Sequence, residues 1–157
     1  MYSNVQFLID QRVSTWEKYS WFPTVFQVLE QVTVKEAAWQ PEHGGNSIWQ
    51  ILHHMNYYNE NILEKITGQK KERTLVKTNE ETFKNHGDSN DLVGWQETLD
   101  YTGNLYNELK EALSNTTDTQ LEELEISQYL ANWSTHDAFH LGQIVILLRE
   151  QGKWTLS

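Results

Sequence analysis

The chain has 157 residues, a formal net charge of −10 and no cysteine. This length suits one domain, so we expect a single domain over residues 1–157. The absence of cysteine excludes disulfides and thiolate metal ligands. The acidic balance argues against nucleic acid and against anionic membrane surfaces as partners. There is no apolar run of about 18 residues and no N-terminal signal pattern, so we expect a cytoplasmic protein without a membrane segment.

Apolar residues recur at helical spacing in four segments, and no segment shows the strong alternation of a strand. The first segment covers about residues 4–32. Pro23 lies within it and predicts a kink or break of the helix near Trp21. Residues 32–39 are predicted to form a helix end or a loop.

The second segment has clear signals at both ends. Asn46 and Ser47 are good N-cap residues, and Gly68 follows Thr67 as a natural residue for the left-handed turn after a helix. The third segment follows a polar turn and covers about residues 91–114. Both segments are predicted to be amphipathic helices of several turns.

The fourth segment is predicted to extend from about Ser134 to Gln151, just before Gly152. Ser134 to Asp137 resembles a capping box in which the shorter Asp replaces the usual Glu. We therefore expect the helix to begin at Ser134.

Four amphipathic helices in one domain predict an all-α four-helix bundle. The connection over residues 68–90 is long and polar. Antiparallel neighbours need only a short loop, so this length permits helices two and three to be parallel, joined by a crossover. The densest run of basic residues, Lys70 to Arg73, lies in this connection and is predicted to be solvated.

The apolar pattern of the fourth segment predicts association. Leu141, Val145 and Ile146 lie outside the arc that its other apolar residues share. A helix that is apolar on nearly all sides is usually buried on more than one side. We therefore predict a homodimer; the alternative is that this helix is central in its own bundle.

Two of the six histidines stand out by their spacing. His43 and His86 occur in polar, turn-like sequences and are predicted to lie in exposed loops. His136 and His140 are four residues apart, which places both imidazoles on one face of a helix, close enough to chelate one ion. Spacing alone leaves two interpretations open: a metal site, or two core histidines that are hydrogen-bonded to neighbours.

The second segment offers His53 or His54 as a further ligand. On an ideal helical wheel, His54 lies about 90° from the centre of the apolar stripe and His53 about 170° away. We therefore predict that His54 flanks the core, that His53 faces solvent, and that a third ligand from this helix is His54. Three neutral imidazoles suit zinc, nickel, copper or iron(II) and leave a position open for water or substrate.

The sequence from His136 to His140 also resembles the metallopeptidase motif His-Glu-x-x-His, with Asp137 in place of Glu. No edge strand that would dock a peptide is evident in the sequence. A metallopeptidase is therefore disfavoured.

Residues 47–60 and residues 136–152 carry two motifs that resemble those of the DinB/YfiT-like (damage-inducible) family of metal-dependent proteins. SIWQILHHMNYYNE, residues 47–60, resembles the second-helix motif, in which a histidine follows the first Ser or Thr by seven residues; here it is His54. HDAFHLGQIVILLREQG, residues 136–152, resembles the fourth-helix motif of two histidines, a Gly-Gln pair and an aliphatic run that ends in Arg.

The resemblance implies an up-down-down-up four-helix bundle and frequent dimerisation. It also implies a site for one divalent metal ion, most often nickel or zinc, formed by His54, His136 and His140. Some relatives are transferases that activate a low-molecular-weight thiol such as bacillithiol, mycothiol or glutathione.

Three functions are open from the sequence. The first is a metal-dependent transferase that uses a small thiol cofactor on a small-molecule substrate. The metal would lower the pKa of that thiol. The second is metal-assisted hydrolysis with the same ligands. The third is a non-enzymatic, stress-induced metal-binding protein. No catalytic acid or base is assigned: Asp137 is predicted to cap its helix, and Gln143 either orients a ligand or substrate or is an ordinary polar residue.

Overall fold

The computed structural model describes residues 3–72, 76–84 and 86–156. Within these ranges the chain is helical and contains no strand, which confirms the predicted all-α class. None of the helices found there combines the length and the apolar character that crossing a bilayer requires. The described part of the chain contains seven α-helices: α1 Asn4–Trp16, α2 Val25–Leu29, α3 Val34–Ala38, α4 Ile48–Thr67, α5 Leu92–Ser114, α6 Asp118–Glu123 and α7 Ser127–Glu150.

Residues 4–32 form two helices, α1 and α2, so the predicted interruption is a break rather than a kink. The prediction of a helix end or a loop over residues 32–39 is wrong, because α3 lies there. α1 ends at Trp16, well before Pro23. Thr24 and Thr33 then begin α2 and α3, each through a capping box with the residue three positions further on. These two caps start new helices, which a single apolar pattern does not show.

The ends of α4 are those predicted. Ser47 is the N-cap: its hydroxyl accepts from the backbone N–H of Gln50, and the Gln50 side chain accepts from the backbone N–H of Ser47. Gly68 ends the helix at φ 70°, in the left-handed region that glycine adopts without a steric cost. Asp91 caps α5, close to the predicted start of the third segment.

α7 begins at Ser127, about two turns before the predicted start at Ser134. Ser134 is buried within the helix, so the predicted capping box is wrong. Leu130 and Trp133 extend the buried side of the helix toward its N-terminus. Their burial outweighs the local start signal, because tertiary packing supplies most helical stability in proteins.

Two clusters of buried apolar side chains give the directions of the four long helices. One cluster holds the N-terminal part of α1, the C-terminal parts of α4 and α5, and the N-terminal part of α7. The other holds the opposite parts of the same helices, together with α2 and α3. This order is that of an up-down-down-up bundle in which α4 and α5 are parallel.

The connection between α4 and α5 packs along the bundle. It contains a short 3-10 helix, Glu80–Phe83. Lys71, which was predicted to be solvated, is half-buried and forms an ion pair with Glu108 of α5 at 2.7 Å. Lys70 is exposed as predicted, and Arg73 lies outside the described residues.

The apolar residues of α7 are covered more fully than predicted. Leu141 is buried in the bundle core and Val145 packs against that core, so neither faces outward. Ile146 is 56% exposed and Phe139 is 63% exposed. The central position of α7 therefore accounts for part of its apolar surface, and the homodimer stays a prediction.

Candidate metal centre

Three imidazoles meet between α4 and α7. His54 comes from α4, and His136 and His140 come from successive turns of α7. The Nε2 atom of His136 lies 3.0 Å from Nε2 of His54 and 3.1 Å from Nε2 of His140. His54 and His140 are buried and His136 is half-buried. The structure thus brings the three predicted residues together, with ligand atoms close enough to hold one ion.

A hydrogen-bond chain fixes the tautomer of His54. Its Nδ1 lies 2.5 Å from the hydroxyl of Thr82, and that hydroxyl donates its own hydrogen to the carbonyl of Asn79. The Thr82 oxygen can therefore only accept from His54. The proton of His54 stays on Nδ1, and the lone pair on Nε2 faces the other two histidines.

His136 and His140 have acceptors at the equivalent atoms. Oε1 of Gln143 lies 2.6 Å from Nδ1 of His140, which is the ligand-orienting contact that the sequence left as one of two alternatives. Oδ1 of Asp137 lies 3.3 Å from Nδ1 of His136. Such partners hold the proton on Nδ1 and keep Nε2 available to a metal.

The donor set fits a divalent transition-metal ion. With the protons on Nδ1, three Nε2 lone pairs face one another and have no hydrogen to share. That arrangement is repulsive unless a cation lies among them. Three neutral imidazoles suit zinc, nickel, copper or iron(II) better than magnesium or calcium, which prefer oxygen ligands.

Asp137 is a buried partner of the site, so the prediction that it caps the helix is wrong. Its side chain is 0% exposed. Oδ2 accepts from the guanidinium of Arg12 and from Nε1 of Trp16, the latter at 2.9 Å. Burial by itself raises the pKa of Asp137, but the charge of Arg12 and the hydrogen bonds from Arg12 and His136 outweigh burial and hold that pKa below its ordinary value. The ionised carboxylate orients the ring of His136.

Arg12 anchors this network from α1. It is 3% exposed, and its guanidinium carbon lies 4.0 Å from the ring centre of Trp133. Its Nη2 lies 3.3 Å from Oδ1 of Asn59, which also accepts from Nε1 of Trp133 at 2.6 Å. Arg12 was not among the predicted site residues, although a charged residue within the apolar stripe of α1 signals a buried partner.

The connection between α4 and α5 supplies a wall of the site. Phe83 stacks on the ring of His54, with centroids 4.1 Å apart and planes 7° from parallel. Tyr58 of α4 places its ring edge-on to both His54 and His136, at centroid distances of 4.9 and 5.0 Å. Neither Thr82 nor Phe83 carried a signal in the sequence, because no pattern in that polar stretch shows where the chain returns.

The buried surroundings keep His54 and His140 neutral. Burial, together with the neighbouring His140 and His136, lowers the pKa of His54 to about 3. Burial also lowers the pKa of His140 below its ordinary value, assisted by His136. Both rings are therefore in the form that coordinates metal at neutral pH.

His53 does not join the cluster. It lines a separate cavity between α4 and α5, as a step of about 100° along a helix requires. The prediction that His53 faces solvent is only partly right, because the side chain is half-buried. Burial and the nearby Lys84 lower its pKa to about 4. His43 and His86 are exposed, as predicted.

A small cavity borders the histidine cluster beside the half-buried His136. It has a volume of about 170 Å³. His136 forms part of its wall, and most of the other lining residues are aromatic or aliphatic. The lining consists of Tyr58, Ile62, Tyr129, Asn132, Trp133 and His136. A mainly apolar cavity therefore lies next to the histidine cluster, on the side of His136.

Comparison with known proteins gives one match. The family model of the DinB superfamily matches residues 23–144 of the chain. None of the curated proteins matches the chain, and none of the solved structures matches it. The matched range contains His54, His136 and His140, and also the connection that supplies Thr82.

Proposed function

The chain belongs to the DinB superfamily, and on this premise we propose that it is a metal-dependent transferase that uses a low-molecular-weight thiol of the bacillithiol type. His54, His136 and His140 would hold one divalent ion, nickel or zinc by resemblance to the family. The observation that carries the proposal is the convergence of three Nε2 lone pairs beside an apolar cavity.

The ion would supply Lewis acidity, which lowers the pKa of a thiol and so favours thiolate at neutral pH. Three protein ligands are the number found in catalytic rather than structural zinc sites. In the transfer, the thiol sulfur forms a bond to an electrophilic carbon of the second substrate. The leaving group departs with the bonding electrons, and the thiol proton passes to solvent.

The chain's own residues would set the conditions for this reaction. Thr82, Asp137 and Gln143 hold protons on the Nδ1 atoms, so the Nε2 lone pairs of all three imidazoles face the ion that they would hold. A ligand set without carboxylates leaves the charge of the ion largely uncompensated. The aromatic walls formed by Tyr58 and Trp133 would bind an apolar group of the second substrate.

Metal analysis followed by a thiol-conjugation assay tests the proposal. Protein purified without an affinity tag is expected to contain close to one divalent ion per chain. With bacillithiol, mycothiol or glutathione and an aryl halide, it should consume thiol and release halide. His54→Ala should abolish this turnover and His53→Ala should preserve it.

The same assay separates the other two functions. Metal-loaded protein that consumes no thiol but hydrolyses ester or amide substrates would favour the metal-assisted hydrolase. Metal-loaded protein that is inert in both assays would favour a non-enzymatic metal-binding role. Either result would overturn the transferase.

We also propose that α7 forms a homodimer contact. Phe139, Gly142 and Ile146 are exposed and share one face of the helix. Light scattering at micromolar concentration should give the mass of two chains, and Phe139→Glu should give the mass of one. A wild-type protein that is monomeric under these conditions would exclude this contact.

A further inference from the structure

The small cavity beside His136 has the size of one aromatic ring. Its volume is about 170 Å³, and an engineered apolar cavity of about 150 Å³ in another protein binds benzene. Pockets for drug-sized ligands begin at about 300 Å³. A single ring therefore fills this cavity, and a second fused ring would have to protrude into solvent or displace the walls.

The walls of the cavity suit a flat apolar group. Ile62 and Trp133 are buried and form its inner side, whereas Tyr129 is exposed and borders its opening. Tyr58 is half-buried and completes the aromatic part of the lining. Aromatic side chains bind a further ring in stacked or edge-on arrangements, so the lining favours an aromatic ligand over a polar one.

Buried contacts hold the indole of Trp133 in the inner wall. Its Nε1 donates to Oδ1 of the buried Asn59 at 2.6 Å. The guanidinium of Arg12 lies against the same indole, 4.0 Å from the ring centre. Since the one polar atom of the indole is bonded to Asn59, Trp133 can offer only carbon to the cavity. Trp133 therefore forms a fixed apolar wall, which limits the size of the cavity.

His136 brings this cavity next to the metal centre. It belongs to the lining, and its Nε2 lies 3.0 Å from Nε2 of His54. A group that contacts His136 from the cavity is therefore about one imidazole ring away from the coordinating atom. A carbon attached to a ring in the cavity would lie close to a thiolate that the ion holds. Such proximity is itself a source of rate enhancement.

We propose that this cavity is a single-ring site, which binds the aromatic ring of a benzylic electrophile, and that Trp133 sets its size limit. This inference rests on the proposed function, in which a thiol attacks a second substrate. The thiol sulfur forms a bond to the carbon that carries the ring. The bond from that carbon to the leaving group breaks, the leaving group departs with the bonding electrons, and the thiol proton passes to solvent.

Nuclear magnetic resonance tests the single-ring site without any turnover. Benzyl alcohol, titrated into the full-length zinc-loaded protein, should shift the indole N–H resonance of Trp133 with saturation. The resonance of Trp21, which is exposed and does not line the cavity, should stay in place. Loss of the signal in Trp133→Phe identifies it.

Tyr129→Ala and Tyr101→Ala form a matched pair for the same titration. Tyr129 is 38% exposed and lines the cavity, whereas Tyr101 is 40% exposed and lies on α5 outside it. Tyr129→Ala removes one aromatic contact and should weaken the binding of benzyl alcohol by about two- to tenfold. Tyr101→Ala should leave the binding unchanged. Metal content, measured on both variants, should remain that of the wild type.

Two chlorides that differ by one fused ring test the specificity. After subtraction of the rate without protein, kcat/KM of the wild type should be about tenfold or more higher for benzyl chloride than for 2-(chloromethyl)naphthalene. Trp133→Phe gives the inner wall a smaller ring. It should narrow this ratio, mainly by lowering KM for the naphthalene compound.

Two results would overturn the single-ring site. The first is the absence of a saturable shift at Trp133. The second is an equal kcat/KM of the wild type for the two chlorides. If benzyl alcohol binds at Trp133 but no thiol is transferred, the transferase is wrong and the single-ring site stands. If circular dichroism shows that Trp133→Phe is unfolded, Tyr129→Ala and Tyr101→Ala decide, and equal weakening by these two variants would contradict the site.

Discussion

The two sides of α4 carry polar side chains of different kinds and in different arrangements. On the side of α7, Nε2 of His136 lies about 3 Å from Nε2 of both His54 and His140, and each Nδ1 has its own acceptor. On the side of α5, carboxylates are dispersed around a cavity of about 800 Å³, and Oδ1 of the buried Asn56 has no hydrogen-bond partner among the described residues. Of the described residues, only the first group brings three ligand atoms together as a metal ion requires. His53 and His54 are adjacent in sequence, yet they belong to different sites.

Replacing His53 or His54 with alanine, one at a time, should give the largest difference in metal content between the two sides of α4. His54→Ala should strip the metal, because the two histidines of α7 cannot complete a three-point site. His53→Ala should leave occupancy near that of the wild type. Metal content per chain, measured at matched folding by circular dichroism, decides between them. If His53→Ala loses metal and His54→Ala keeps it, the two sides are assigned the wrong way round; if both keep it, the three-histidine site is wrong.

The buried ion pair beneath the α7 side should matter far more for stability than an exposed one. Arg12→Met leaves Asp137 buried without its cation and should lower the free energy of unfolding by about 3–5 kcal/mol. Lys110→Met removes the exposed pair with Glu17, in which the atoms lie 2.6 Å apart, and should cost about 0–1 kcal/mol. Urea denaturation measures both. Equal losses for the two variants would contradict the anchoring role of Arg12.

Two threonines allow a matched test of hydrogen bonds on the two sides. Thr82→Val removes the acceptor that orients His54, and metal affinity should fall about 10- to 100-fold. Thr102→Val removes the partner of Asn56 on the other side, and should lower stability by about 1–3 kcal/mol without changing metal affinity. Competition with a chelator gives the affinities. A Thr82→Val protein that binds metal as the wild type does would show that the Thr82 contact does not position His54.

Acid should lower the free energy of unfolding through histidines on both sides of α4, but it should release metal only from the three-histidine cluster. In the unfolded chain a histidine titrates near pH ~6.5, whereas burial lowers the pKa of His53 to about 4 and that of His54 to about 3. Between these values the unfolded chain binds more protons than the folded chain. Stability is therefore complete above pH ~6.5 and falls as the pH decreases toward the folded values.

Urea denaturation of the metal-free protein at several pH values checks this direction. His53→Gln and His54→Gln should each make stability less sensitive to acid, and the contribution of His54 should continue to lower pH. In the metal-loaded protein, half of the metal should be released below pH ~6.5, because protons compete less well for a histidine with a lowered pKa. Stability that rises on acidification would contradict the burial of these rings.

The sequence predicted those parts of the site that depend on local geometry. The cap signals at Ser47 and Gly68 fixed the register of α4, and the helical wheel then separated His54 from His53. The wheel misjudged the exposure of His53, because it assumes a single buried stripe. α4 instead packs against α7 on one side, and against α5 and the connection on another.

The parts that the sequence did not predict depend on tertiary contacts. Asp137 follows Ser134 as a capping residue would, yet the burial of Leu130 and Trp133 extends α7 beyond that local signal. Thr82 and Phe83 reach His54 only because the connection folds back along α4. Nothing periodic in that polar stretch encodes its path, whereas Arg12 could have been identified from its place in the apolar stripe of α1.

X-ray absorption at the edge of the bound metal tests the central claim most directly. The protein is purified without a histidine tag, because a tag would add imidazoles of its own. The first coordination shell of the metal should contain three imidazole nitrogens, at about 2.0–2.1 Å if the metal is zinc. The His53→Ala protein should give the same spectrum. A shell dominated by carboxylate oxygens, or one with fewer than three imidazoles in the wild-type protein, would contradict the assignment of His54, His136 and His140 as the ligands.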